Sequence, residues 1–380
     1  ALSWGFAGGF PSVGVPGMTG QLTILVVASA ALLALALSGW WRALLYPLTI
    51  RPSRLTVSRQ RLLVREPADV NRINLILGSF ARGFNRCITG ASAECWREYC
   101  ASLPSLLRPF AHEGAAMGHI ARRMGRYAAD RFEREIVKPG PEFRYLYYVG
   151  LGFWAGMRGY SAERMTKLVG GLDRLHRFLC FDGYGFSQAF FHYRRDPSRL
   201  GRLDLFAGYA CNAAYQGVGR AFYFLFMDEP DRIVEHLRRL GDHAADAAAG
   251  VGLAAFFVNP DRLHKARLVA ERIPADLRPH FHLGMCFGAK ARAINDVEEF
   301  ERNIGLIPKF EADAVHAAVR ECDRVELLVR SEKRDDGYAE WRARVTAWMV
   351  DHIEYPLAGV RAKAVGGAAP SARSVSHLRT

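Results

Sequence analysis

The chain has 380 residues, half of them hydrophobic and 12% aromatic, and a formal net charge of +13. That much apolar material excludes an intrinsically disordered chain, and the length is enough for two or three domains around a sizeable core. Seven of the 51 basic residues are Lys, so the positive charge is almost all Arg; it is dispersed without a helix-turn-helix, zinc-finger or RNA-binding motif, which speaks against a nucleic-acid partner.

Residues 1–20 form a tail without a charged side chain, and Leu22 to Gly39 is an unbroken uncharged stretch followed by Trp40 and Trp41. Segment 21–41 is therefore expected to be a transmembrane helix, matched to a hydrocarbon core of ~30 Å and ending in an interfacial aromatic pair. Arg42, Arg51, Arg54, Arg59, Arg61 and Arg65 follow it. Positive-inside bias then predicts a single-pass protein of the inner membrane with a cytoplasmic C-terminal body, and the same arginines would meet anionic lipid headgroups. A cleaved signal peptide would need positive charge ahead of its apolar core, and there is none.

Residues 42–66 read as a basic neck with two prolines, short alternation and one strand. From Val70 the period becomes helical, with Val70, Ile73, Ile76 and Phe80 on one face. Shifting the chain by 134 residues lays Gly83 on Gly217, Gly118 on Gly252 and residues 149–155 on 283–289. This internal similarity suggests two pseudo-repeated helical halves, 67–202 and 203–332. A C-terminal helix at 333–356 carries Trp341, Val345 and Trp348 on one face, and 357–380 has the composition of a disordered tail. The expected fold class is mainly α: one N-terminal transmembrane helix, then a helical soluble domain.

Glycines gather within apolar, helix-like runs: Gly114 and Gly118, Gly150 and Gly152, Gly183 and Gly185, Gly217 and Gly219, Gly250 and Gly252. Each costs a helix up to ~1 kcal/mol relative to Ala, so close backbone packing is the preferred reason for them. No phosphate loop or dinucleotide fingerprint is present, and no cofactor is expected. The seven cysteines contain no C-x-x-C pair and read as buried thiols. His112 and His119 are seven residues apart, about 10 Å along a helix and too far to share a zinc ion; no metal is expected.

Several polar residues stand in apolar surroundings. Asp182 in F-D-G-Y-G-F reads as a helix cap after a glycine turn, or as a cavity residue with Tyr184 and His192. A buried Arg220 would need a carboxylate from Glu113, Asp182, Asp242 or Asp246. Asp335 and Asp336 look like an aspartate-rich cyclase motif but lack its second half, and read as a solvated turn. The candidate catalytic residues are Glu113, Asp182 and Tyr184; the candidate binding residues are His112, Gln216, Arg220, Phe186 and Trp154. Aromatic density between residues 143 and 287 is chiefly core, with an elongated apolar pocket as the functional alternative.

Taken in order, F-A-H-E-G-A-A-M-G (110–118), V-G-L-G-F-W (149–154), F-D-G-Y-G-F (181–186), Y-Q-G-V-G-R-A-F-Y-F (215–224) and G-V-G-L-A-A (250–255) resemble a family of uncharacterised proteins encoded beside enediyne polyketide synthases. His112 departs from that pattern, where an aromatic residue is commoner. The resemblance implies an accessory protein of enediyne biosynthesis that binds or presents a linear polyene, the hydrophobic product of the synthase, within a membrane assembly. The implied partners are a polytopic membrane protein and a propeller-like repeat protein. Two alternatives stand beside it: an enzyme acting on the polyene by acid–base chemistry, and a purely structural scaffold.

Overall fold

The computed structural model describes residues 18–37, 48–90, 92–123, 129–354 and 361–362. The chain divides into two units, residues 1–49 and 50–380. The first contributes one described helix, α1 (Met18–Leu37).

This helix corrects the membrane expectation. Among the described residues no helix is long and apolar enough to cross a membrane. Trp40 and Trp41 lie outside the described residues, together with the rest of 38–47. The transmembrane helix at 21–41 is withdrawn, and the single-pass inner-membrane placement with a cytoplasmic body goes with it.

The second unit is built on helices. Its α-helices of eight residues or more are, in chain order, α2 (Pro67–Ile88), α3 (Ala93–Ala101), α4 (Arg108–Arg122), α5 (Arg144–Met157), α6 (Ala162–Val169), α7 (Phe178–Gln188) and α8 (Tyr209–Phe226). Then come α9 (Pro230–Arg238), α10 (Ala244–Val258), α11 (Leu263–Ala270), α12 (Arg278–Asn295), α13 (Val297–Ile304), α14 (Lys309–Glu332) and α15 (Gly337–His352). Proline in the first turn opens α2, α4, α9 and α12, where the missing N–H costs nothing. The short helices α3, α6 and α13 are capped by Ser92, Ser161 and Asp296, whose side chains accept from the backbone N–H three residues on.

Helices α2, α4, α5, α7, α8, α10 and α12 form a row in which each packs on the next. Paired glycines make the contacts. On α5, a Cβ added to Gly150 would lie 2.5 Å from the carbonyl oxygen of Glu113 on α4, and one added to Gly152 would lie 1.7 Å from that of Cys180 on α7. Gly183 and Gly185, Gly217 and Gly219, and Gly250 and Gly252 repeat the pattern, the first glycine against the preceding row helix and the second against the following one. Gly150, Gly183, Gly217, Gly250 and Gly284 recur every 33 or 34 residues, and four such steps span the 134-residue shift visible in the sequence.

The row turns back on itself. Arg292 on α12 donates to the carbonyl of Leu106, just ahead of α4, at 3.3 Å, and Arg72 on α2 donates to that of Val258 at the end of α10. Helices α14 and α15 pack on α12, and the Trp341 indole of α15 donates to the Cys322 carbonyl at 2.9 Å.

Three local expectations change. Residues 48–66 contain a helical turn, Val57–Gln60, and no strand. Asp182 does not cap a helix; it sits in the middle of α7, because Gly183 and Gly185 serve helix contact and not a turn. Of the tail 357–380, Arg361–Ala362 is described and pairs antiparallel with Ile353–Glu354. The remainder of that tail, and residues 1–17, lie outside the described residues.

Candidate functional site

The glycine seams decide which side chains face inward. The residue before the first glycine of a pair and the residue three after it lie one turn apart on one helix face. Along the row these positions hold Val149 and Phe153, Asp182 and Phe186, Gln216 and Arg220, and Ala249 and Leu253; beside Gly284 they hold Leu283 and Phe287. Glu113, preceding Gly114, is the corresponding residue of α4. Most of these residues line two cavities in the interior of the second unit.

The inner cavity, of about 60 Å³, is bounded by Glu113, Asp182 and Arg220, by apolar side chains of α4, α5, α10 and α12, and by Tyr338 and Trp341 of α15. The outer one, of about 230 Å³, is walled by Phe80, Phe153, Phe186, Phe190 and Phe191 and reaches Ile50, Arg54 and Gln60. Phe110, Glu113, Arg220 and Phe224 belong to both. The two cavities are thus separated by a common wall whose polar members are one carboxyl and one guanidinium.

A buried network stands behind that wall. The Arg220 guanidinium donates to Asp182, the Gln216 amide donates to the other Asp182 oxygen at 2.7 Å, and Arg342 of α15 donates to the Gln216 carbonyl. Arg342 also reaches Asp246 at 3.2 Å, and Asn212 donates to Asp246 at 2.7 Å. The Tyr338 hydroxyl lies 3.2 Å from the Gln216 amide nitrogen, and burial pushes its pKa to about 12. Two guanidinium groups face two aspartates, so the network is neutral without Glu113. Burial alone would lower the Arg220 pKa; Asp182 and Glu113 outweigh it and hold the group above its ordinary value.

Glu113 is different. Its nearest cationic approach is Arg220 at 4.0 Å, beyond hydrogen-bond range. Burial raises its pKa to about 7; Arg220 opposes the shift and Asp182 adds to it. At neutral pH this carboxyl is therefore shared between its acid and its anion, beside two apolar cavities. That is the condition in which a carboxyl can give or take a proton.

Of the residues expected from sequence, Glu113, Asp182, Gln216 and Arg220 come together, and Phe186 lies under Arg220 at 5.0 Å from guanidinium carbon to ring centre. The other three are elsewhere. Tyr184 donates to the Tyr160 carbonyl at 2.9 Å. His112 is paired with the Tyr147 hydroxyl at 2.8 Å and stacked on Phe143, and burial lowers its pKa to about 3, so the ring is neutral. Trp154 is half-buried with the Arg158 guanidinium over its ring. Tyr338, Trp341 and Arg342 were missed as site residues. A usable signal was present in Arg342, a charged residue on the same stripe as Tyr338 and Val345 in an otherwise apolar helix face.

No curated protein matches this chain, and no solved structure does. A family model described as "Protein of unknown function (DUF1702)" matches residues 39–349, which include every residue of the network and of both cavities. The chain therefore belongs to the DUF1702 family.

Proposed function

We propose that this protein binds a slender, apolar, conjugated molecule in its paired cavities and presents it for further reaction. The substrate class is the linear polyene of enediyne biosynthesis that the sequence resemblance implies. The observation that carries the reading is the outer cavity of about 230 Å³, walled by phenylalanines and closed at its inner end by Glu113 and Arg220. A polyene is poorly soluble in water, and removing it into an aromatic cavity is favourable at roughly 25 cal/mol per Å² of surface buried. The test is titration of the purified chain with a conjugated tetraene fatty acid whose fluorescence rises on leaving water. Saturable binding is expected, weakened about tenfold by Met157→Arg at the half-exposed rim of the cavity. Binding that is unsaturable, or indifferent to that substitution, defeats the reading.

The raised pKa of Glu113 favours a second reading, proton transfer between its carboxyl and the bound polyene. Incorporation of solvent deuterium into the bound molecule, lost in Glu113→Gln with affinity retained, is its expected signature.

A further inference from the structure

We propose that Asp204, Cys211 and His243 form a binding site for a divalent metal ion of the zinc class, separate from the cavities. Asp204 stands at the end of the 3₁₀ segment Pro197–Leu205, Cys211 in the first turn of α8, and His243 at the close of the turn Gly241–His243 that leads into α10. The Cys211 sulfur lies 4.0 Å from Asp204 Oδ1 and 4.0 Å from His243 Nε2. His243 Nε2 lies 3.6 Å from the same Asp204 oxygen.

The three donor atoms form a triangle. A tetrahedral zinc ion with Zn–S of about 2.3 Å and Zn–N and Zn–O of about 2.0–2.2 Å separates neighbouring donors by about 3.3–3.6 Å. Each observed edge is within about 0.5 Å of that figure, a contraction that side-chain rotation supplies. A thiolate, an imidazole and a carboxylate together suit Zn²⁺ or Co²⁺ and exclude Mg²⁺ and Ca²⁺, which take oxygen ligands.

Geometry also separates this cluster from a nucleophilic relay. A cysteine activated through histidine and aspartate needs the two partners on opposite ring nitrogens. Here both the sulfur and the carboxylate face Nε2. Convergence on one point is what a metal requires and what a relay forbids.

Tyr215, one turn after Cys211, holds the other two donors in place. Its ring stacks on His243 at 3.8 Å and 6°, and its hydroxyl donates to Asp204 at 2.8 Å. This is the outer support that metal-binding histidines and carboxylates receive. Asp204 is exposed, so the fourth position opens to solvent, the arrangement of three protein ligands and a water.

The experiment is titration of the full chain, stripped with chelator, with Co²⁺ and then Zn²⁺. One equivalent of Co²⁺ is expected to give a thiolate-to-cobalt charge-transfer band that Zn²⁺ abolishes. Cys211→Ser removes the band. Asp204→Asn, at an exposed position that does not endanger folding, weakens binding at least tenfold. Tyr215→Phe keeps the band and weakens binding about tenfold. The proposal is overturned if the folded wild-type chain gives no stoichiometric band, or if the band survives Cys211→Ser and Asp204→Asn, which would move it to another thiol such as the exposed Cys95.

Discussion

Glu113 and Glu326 are 4% and 7% exposed, and burial pushes both toward the neutral acid. They end as opposites. Glu326, on α14, accepts from Tyr145 at 2.9 Å and lies 3.0 Å from Lys290, 3.2 Å from His176 and 3.4 Å from Arg330. These partners overcome desolvation and hold its carboxyl well below the ordinary range. Glu113 has Arg220 alone, at 4.0 Å, already engaged by Asp182. The lesson is that depth does not set the state of a buried carboxyl; the number of unshared donors around it does. One glutamate ties helices together, and the other is left able to exchange its proton.

The bluntest way to break the contrast is to move the wall that holds both environments in place. Gly152→Ala would put a Cβ 1.7 Å from the Cys180 carbonyl oxygen. Helices α5 and α7 must then separate, and a loss of about 3 kcal/mol or more in urea unfolding is expected. Next is Glu326→Gln, which leaves buried Lys290 with Asp323 as its remaining carboxylate; about 3 kcal/mol should be lost at pH 7 by the same measurement.

The two glutamates should also differ in sign against pH. A carboxyl raised on folding stabilises the protein fully below its unfolded value, and that contribution is lost as pH rises through the folded one. For Glu113 the window runs from the ordinary value of 4.5 to about 7. Glu113→Gln should flatten that limb and gain on the order of 3 kcal/mol over the wild type at pH 8. Glu326, lowered on folding, contributes above its ordinary value of 4.5 and loses that contribution as pH falls below it, so Glu326→Gln should flatten the acid limb. Unfolding curves between pH 3 and pH 8 for the two variants check both. An equal slope for both would sink the distinction. The smallest effect serves as the control: Gly170→Ala, at an exposed helix end with φ of −59°, should gain about 0.5 kcal/mol and leave both limbs alone.

Helical character and the convergence of Glu113, Asp182, Gln216 and Arg220 were legible because each polar residue sits beside a glycine in an apolar run, where burial and a partner are both forced. The 134-residue similarity was legible too, but its four-step composition was not. One glycine pair looks like any other until the contacts show which faces backward and which forward along the row. Tyr338 and Arg342 escaped because their partner Gln216 is more than a hundred residues away, and the exposed Asp335 and Asp336 beside them dominated the local reading. The apolar run at 22–39 satisfies a hydropathy criterion, yet no helix among the described residues is long and apolar enough to cross a membrane.

Because neighbouring row helices meet main chain to main chain at the glycines, the side chains they turn inward have no part in keeping those helices apart. The frame's gauge and the lining of its interior are then separate inheritances. Phenylalanine at position 153, 186 or 287 could give way to a smaller or differently shaped residue, and the glycines would still hold the circumference. Relatives sharing this frame are free to diverge in what they enclose, and the glycine spacing, not the identity of the lining, is the mark by which such a relative should be sought.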